Sequence, residues 1–207
     1  MAINLEKGQR IDLTKKSASG STSALSQFCV GVNWGMIEKK GLFGGVKKEA
    51  VDLDASCALF NAQDQLLDAV YFNQLSSQDG SIQHSGDDRE GDADGDDGLD
   101  NEIISVDLTR LSSEVETVVF FLNSYNQQDF ATVPFAAIRL YEGTPERVTE
   151  IFATYEISTD TSFRGYVAMV MGKLYKRNGE WKFSAIGEPT PDKKLADTIT
   201  TIQQKYL

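Results

Sequence analysis

The chain has 207 residues, 41% of them hydrophobic, and a formal net charge of −11. That apolar content suffices for a core at single-domain size, and no apolar run reaches the roughly 18 residues of a membrane-spanning helix. The acidic balance argues against nucleic acid or anionic lipid as a direct partner unless a cation bridges them.

The N-terminal run Met1 to Lys16 has no apolar core of a secretory signal. Ile3 to Leu13 reads as a hairpin turning at Lys7-Gly8, and Ser17 to Ser23 as a polar loop. Phe28 to Trp34 (FCVGVNW) is β-branched and aromatic, a buried strand. Met36 to Lys48 reads as a Lys/Gly-rich loop with Leu42-Phe43 at its tip. In Val51 to Phe60, strand period places Val51, Leu53, Ala55 and Cys57 on one face and Asp52 and Asp54 on the other, roughly 7 Å apart. Two carboxylates so placed repel unless a cation or donors lie between them. Cys29 and Cys57 sit inside apolar runs, as buried free thiols do in a reducing cytoplasm.

Leu66 to Asn73 is a further strand, and beyond it lies the most charged stretch of the chain. Asp79 to Glu102 (DGSIQHSGDDREGDADGDDGLDNE) holds eight Asp and two Glu against one Arg. Its carboxylates at Asp87, Asp88, Asp92, Asp94, Asp96 and Asp97, with interspersed glycines, suit a hard cation that takes six to eight oxygen ligands. One histidine, His84, and no nearby cysteine disfavour zinc, copper or iron. An EF-hand is excluded, because a loop begun at Asp92 puts Asp97 and Ile103 where Gly and Glu are needed. The composition also fits a disordered acidic linker. The stretch lies between two strands rather than between domains, however, since Ile103 to Leu108 resumes strand pattern.

Leu111 to Val115 reads as a short helical turn. Thr117 to Leu122, Phe135 to Tyr141 and Val148 to Ile157 read as strands. Gly165 to Tyr175 and Glu180 to Ile186 flank Asn178-Gly179, a strong hairpin signal. Thr190-Pro191 opens a helix over 191–207 with an apolar stripe of Leu195, Ile199, Ile202 and Tyr206. The pattern predicts one mainly β domain over residues 1–207, an antiparallel β-sandwich with short helices and a C-terminal helix.

The succession VGVNW, VDLDASCALFN, a strand ending in YFN, HSGDDREGDADGDD, ISVDL and GKLYKRNGEWKFSAIGEP resembles the TerD family of bacterial tellurium-resistance and general-stress proteins. The resemblance spans nearly the whole chain. It implies a cytoplasmic β-sandwich binding one or two calcium ions without established catalysis. It also implies a part in tellurite resistance and chemical-stress defence. Expected partners are other tellurite-resistance proteins, at the inner face of the membrane, with no nucleic acid and no small-molecule substrate. Matched by position, it adds Asn73, Asp79 and Glu102 to the ligand set Asp52, Asp54, Asp87, Asp94, Asp96 and Asp97. Three departures stand out: Asp88 where Asn is commoner, Gly35 where Asp is usual, and Gly98 to Asn101 inserted before Glu102.

Two other readings compete. A calcium-dependent adaptor would use the ion to bridge lipid phosphate or a partner protein. A metal-dependent phosphoesterase would need a positive group for its transition state, and Arg89 is the one local choice. No GxSxG elbow or phosphate-binding glycine loop is present.

Overall fold

The fold is described from a computed structural model. It covers residues 25–40 and 44–207, together with the strand backbone at 3–4, 10–12, 14–16 and 22–24. In chain order the strands are Ile3–Asn4 (β1), Arg10–Asp12 (β2), Thr14–Lys16 (β3), Thr22–Ala24 (β4), Gln27–Trp34 (β5), Ile37–Lys40 (β6), Val46–Glu49 (β7) and Leu53–Phe60 (β8). They continue with Leu66–Val70 (β9), Ile82–His84 (β10), Glu102–Asp107 (β11), Thr117–Ser124 (β12), Ala136–Thr144 (β13), Arg147–Glu156 (β14), Ala168–Arg177 (β15) and Glu180–Thr190 (β16). Among the described residues there is one α-helix, Leu195–Lys205 (α1).

Twelve strands form two six-stranded sheets, ordered β1-β14-β13-β5-β11-β10 and β2-β16-β15-β12-β8-β9. Pairing is antiparallel except for β1 on β14. Period-two alternation decides which side chains lie between the sheets. Phe28, Val30, Val32 and Trp34 of β5 meet Leu53, Ala55, Cys57 and Leu59 of β8, and Val118, Phe120 and Leu122 of β12, in one core. The opposite face of the second sheet is covered by α1, whose Ile199 and Ile202 pack on Ala58, Phe60, Val119 and Phe121. The apolar stripe therefore docks on the sheet, as its spacing predicts.

Several elements differ from their sequence reading. Ile3 to Leu13 is no hairpin, since β1 and β2 join different sheets. Met36 to Lys48 holds a two-stranded ribbon, β6 with β7, whose four lysines are all exposed. Its Leu42-Phe43 tip lies outside the described residues. Leu111 to Val115 is a bend with Val115 N donating to Ser112 O, not a helix. Strand β16 runs on through Thr190, so α1 starts only after Lys194, which is extended at φ −140° and ψ 149°. Asn178 and Gly179 both have positive φ, 54° and 79°, as the two-residue turn they signal requires. Among the described residues no helix is long and apolar enough to cross a membrane.

Candidate metal centre

The acidic stretch is not all loop. It begins with β10, which pairs with β11, so the chain from Ser85 to Asn101 is an excursion between two neighbouring strands of the first sheet. Backbone bonds fasten that excursion to both sheets. Asp92 N donates to Trp34 O, Met36 N to Asp92 O, Asn101 N to Val32 O and Val51 N to Glu90 O, all at 2.9–3.0 Å.

The loop delivers Asp87 onto β8. Carboxylate oxygens of Asp52, Asp54 and Asp87 lie within 4.8 Å of one another. Asp52 and Asp54 are 7% and 4% exposed, so neither faces water. Their strand keeps Leu53 and Ala55 in the core and turns both acids to the outer face, where the loop covers them. The Asp52 Oδ1 is buried without a partner. Burial, then repulsion from Asp87 and Glu102, pushes Asp52 up to about 6. Burial, then Glu102 and Asp52, pushes Asp54 up to about 8. Arg89, whose charge opposes both shifts, donates from Nε to Asp87 Oδ2 at 2.7 Å. Together with Phe72 and Tyr125 these residues line a cavity of about 110 Å³.

A second cluster lies farther along the loop, where Asp92, Asp96 and Asp97 also bring oxygens within 4.8 Å. Asn33 Nδ2 donates to Asp96 Oδ1 at 2.8 Å, and Asn101 Nδ2 donates to Asp92 Oδ1 at 3.1 Å. Both clusters offer only hard oxygen donors, and the first holds a buried oxygen with nothing to bind. That donor set fits calcium, and neither cluster supplies the nitrogen or sulfur that softer metals prefer.

The remaining expected ligands stand elsewhere. Asp94 is 95% exposed and pairs with Lys48 Nζ at 2.7 Å. Asp88 closes a turn, accepting from Glu90 N at 2.9 Å and Gly91 N at 3.0 Å. Asp79 accepts from Ser77, Ser81 and Ser112; burial opposes its charge, but these donors win and hold it down at about 2. Asn73 is exposed within the turn Tyr71–Gln74. Glu102 is fully buried, with Oε2 accepting from Ala55 N at 2.7 Å and Oε1 from Asp88 N at 3.1 Å. Its oxygens are thus committed to joining β11, β8 and the loop. His84 completes that seam: its Nδ1 accepts from Gly86 N, leaving Nε2 to donate toward Ala55 O at 3.0 Å. Burial pushes the Glu102 carboxyl up, against the pull of His84.

Residues of the inserted segment do work that composition does not reveal. Asn101 Oδ1 accepts from Trp34 N at 2.8 Å, and Asp100 Oδ1 accepts from Arg139 Nε at 2.7 Å. Asp100 rests on Gly31, where a Cβ would stand 1.9 Å from Asp100 Oδ2. Gly35, in place of the family's usual Asp, sits under the Phe135 ring, 2.4 Å from where a Cβ would be. A side chain at that position would have to displace the Phe135 ring.

Comparison with known proteins agrees with this architecture. The family model of the TerD domain matches residues 1–201. The tellurium resistance protein TerZ of Serratia marcescens is 35% identical over 202 residues, covering 97% of this chain and 96% of that protein. The stress response protein SCP2 of Bacillus subtilis (strain 168) is 35% identical over 214 residues, covering 97% and 98% respectively. The crystal structure of a telluride resistance protein (TerD) homologue from Streptomyces coelicolor A3(2) superposes with a TM-score of 0.67 at 18% identity. It covers 87% of this chain and 98% of that one. The chain belongs to the TerD family.

Proposed function

We propose that this chain is a cytoplasmic, non-catalytic calcium-binding protein of the tellurium-resistance and stress-response type, with one ion at each carboxylate cluster. The observation that carries the reading is the pair Asp52 and Asp54, buried together beneath Asp87 with one oxygen unpartnered. Buried carboxylates in this number are tolerated when a cation replaces the water they lose. Calcium binding would order the loop against β8 and present a folded acidic end to a partner protein.

Neither cysteine nor the single histidine is poised for nucleophilic catalysis, which supports the non-catalytic part. Burial holds the Cys29 thiol up at about 12 and pushes Cys57 up as well. His84 is buried with both ring nitrogens bonded.

Thermal unfolding in calcium against chelator tests the reading. A ligand at about 100 times its Kd adds about 2.7 kcal/mol, and a chain of this size gains about 2–4 °C per kcal/mol. The expected shift is therefore about 5–10 °C. A melting temperature that does not move at millimolar calcium removes the proposal.

A further inference from the structure

The cavity over Asp52, Asp54 and Asp87 shares part of its lining with a neighbour. A second cavity of about 290 Å³ shares Asp54, Phe72 and Tyr125 with it and extends along Asn123 to Lys194 and Leu195, where α1 begins. Asn123 stands directly opposite Asp54 in the β8–β12 pairing. Its neighbours Val118, Phe120 and Leu122 are in the core between the sheets, while Val119 and Phe121 face α1, so Asn123 points to the same outer face as Asp54. Opposed side chains on one face have Cβ atoms about 4.5–5.5 Å apart.

Two facts fix the amide. Thr198 Oγ1 donates to Lys194 O at 3.3 Å, so its oxygen is free to accept, and Asn123 Nδ2 donates to it at 3.0 Å. The Asn123 Oδ1 consequently faces away from the helix. It is an oxygen of a residue only 6% exposed, and it has no partner. Buried amide oxygens normally find a donor or a cation. Here Asp52, two residues before Asp54 along the chain, and Asn123, opposite Asp54 across the ladder, each carry a buried oxygen without a partner.

We propose that Asn123 Oδ1 is a further ligand of the cation held by Asp52, Asp54 and Asp87, and that Thr198 of α1 is its positioning residue. The inference rests on the calcium reading of that cluster. It makes the site a joint product of loop, sheet and C-terminal helix. A neutral carbonyl oxygen is an ordinary calcium ligand, and it adds coordination without adding charge to an already acidic site. Coupling follows by reciprocity: if helix docking tightens the ion, the ion tightens helix docking by the same factor.

The test is calorimetric titration of the full chain with calcium alone, in an Asp96→Asn, Asp97→Asn background that leaves the first cluster intact. Asn123→Leu and Thr198→Val should each weaken binding at least about tenfold, the scale typical of ligand-positioning groups. Asn123→Asp and Thr198→Ser should restore it. Circular dichroism in chelator checks that each variant folds. Thr198→Val keeps the side-chain shape and so covers a misfolded Asn123→Leu. Amide exchange gives a second reading: calcium should slow exchange across Leu195–Lys205 in the parent and not in Asn123→Leu. Binding abolished by Asp54→Asn but unchanged by Asn123→Leu and Thr198→Val would overturn this inference and leave the calcium site standing. Absence of calcium binding in the parent and in the unmodified chain alike would overturn both.

Discussion

Asp54 shows how one residue serves as core, charge and candidate ligand at once. It is buried on a strand whose alternate positions make the hydrophobic core, and its carboxyl is held up at about 8 chiefly by burial. Its unfolded value is near 3.8, so the folded chain binds the extra proton. Stability from that proton is complete below the unfolded value and is lost as pH rises through the folded one. In chelator, the melting temperature should accordingly fall between about pH 4 and pH 8, and Asp54→Asn should flatten that slope. A slope as steep in the variant would move the cause elsewhere. Asp94 makes the contrasting case, being exposed and held down by Lys48. Asp94→Asn should leave calcium affinity within about twofold, because an exposed pair contributes little. Strand period alone gives the shared outward face of Asp52 and Asp54. The sorting of the loop acids is not legible, because Asp88, Asp94 and Asp96 look alike until their donors, Gly91 N, Lys48 and Asn33, are brought in by folding. Asn123 was hidden for a related reason. The run Thr117 to Leu122 is apolar on both faces, since α1 covers the outer one, so no alternation marks where the polar position falls.

The elements most readily read are those with strong local signals. Asn178-Gly179 fixes its hairpin, and the four-three-four spacing of Leu195, Ile199, Ile202 and Tyr206 fixes the buried face of α1. The start of that helix was misplaced because β16 holds residues up to Thr190 in the ladder with Ala168. Sheet pairing overrides the Pro signal there. The β6–β7 ribbon escapes a sequence reading for a similar reason: its four lysines and two glutamates bury nothing, and only the pairing of Ile37 with Glu49 through Lys40 with Val46 defines it. Ile202, fully buried between α1 and the sheet, gives the element its anchorage. Ile202→Ala should cost about 2–5 kcal/mol in denaturant unfolding. At the other face of the molecule, Gly31→Ala would drive a methyl into the Asp100 carboxylate and should destabilise by about 1–3 kcal/mol. Replacing Asp100 with Gly in the same chain should recover part of that loss, which tests whether the clash is the cause.

At the scale of the whole molecule, the two sheets share one core but meet differently at their ends. At the acidic end the join is polar: Glu102 of β11 accepts from Ala55 N of β8, and His84 of β10 reaches Ala55 O. The ends of the loop are therefore anchored whether or not an ion is present, and its middle carries most of the exposed charge. Limited proteolysis should cut within Asp92–Leu99 in chelator, and calcium should protect that segment while the fragments either side stay intact. Equal cutting in both conditions would mean the ion does not order the loop. The antiparallel sandwich itself was legible from strand count, turn signals and the terminal helix. The division of the acids into two centres was not, because it depends on how far Ser85 to Asn101 travels from one sheet toward the other.

Because the excursion leaves and rejoins adjacent strands, a change in its order need not propagate into the ladders that flank it. An ion seated on Asp52, Asp54 and Asp87 would act as a rivet through overlapping plates, stiffening one rim of the molecule while the remainder keeps its form. A chain riveted in this way would report a change in calcium concentration through the shape of a single edge, and whatever docks on that edge would feel the change without the fold being remade.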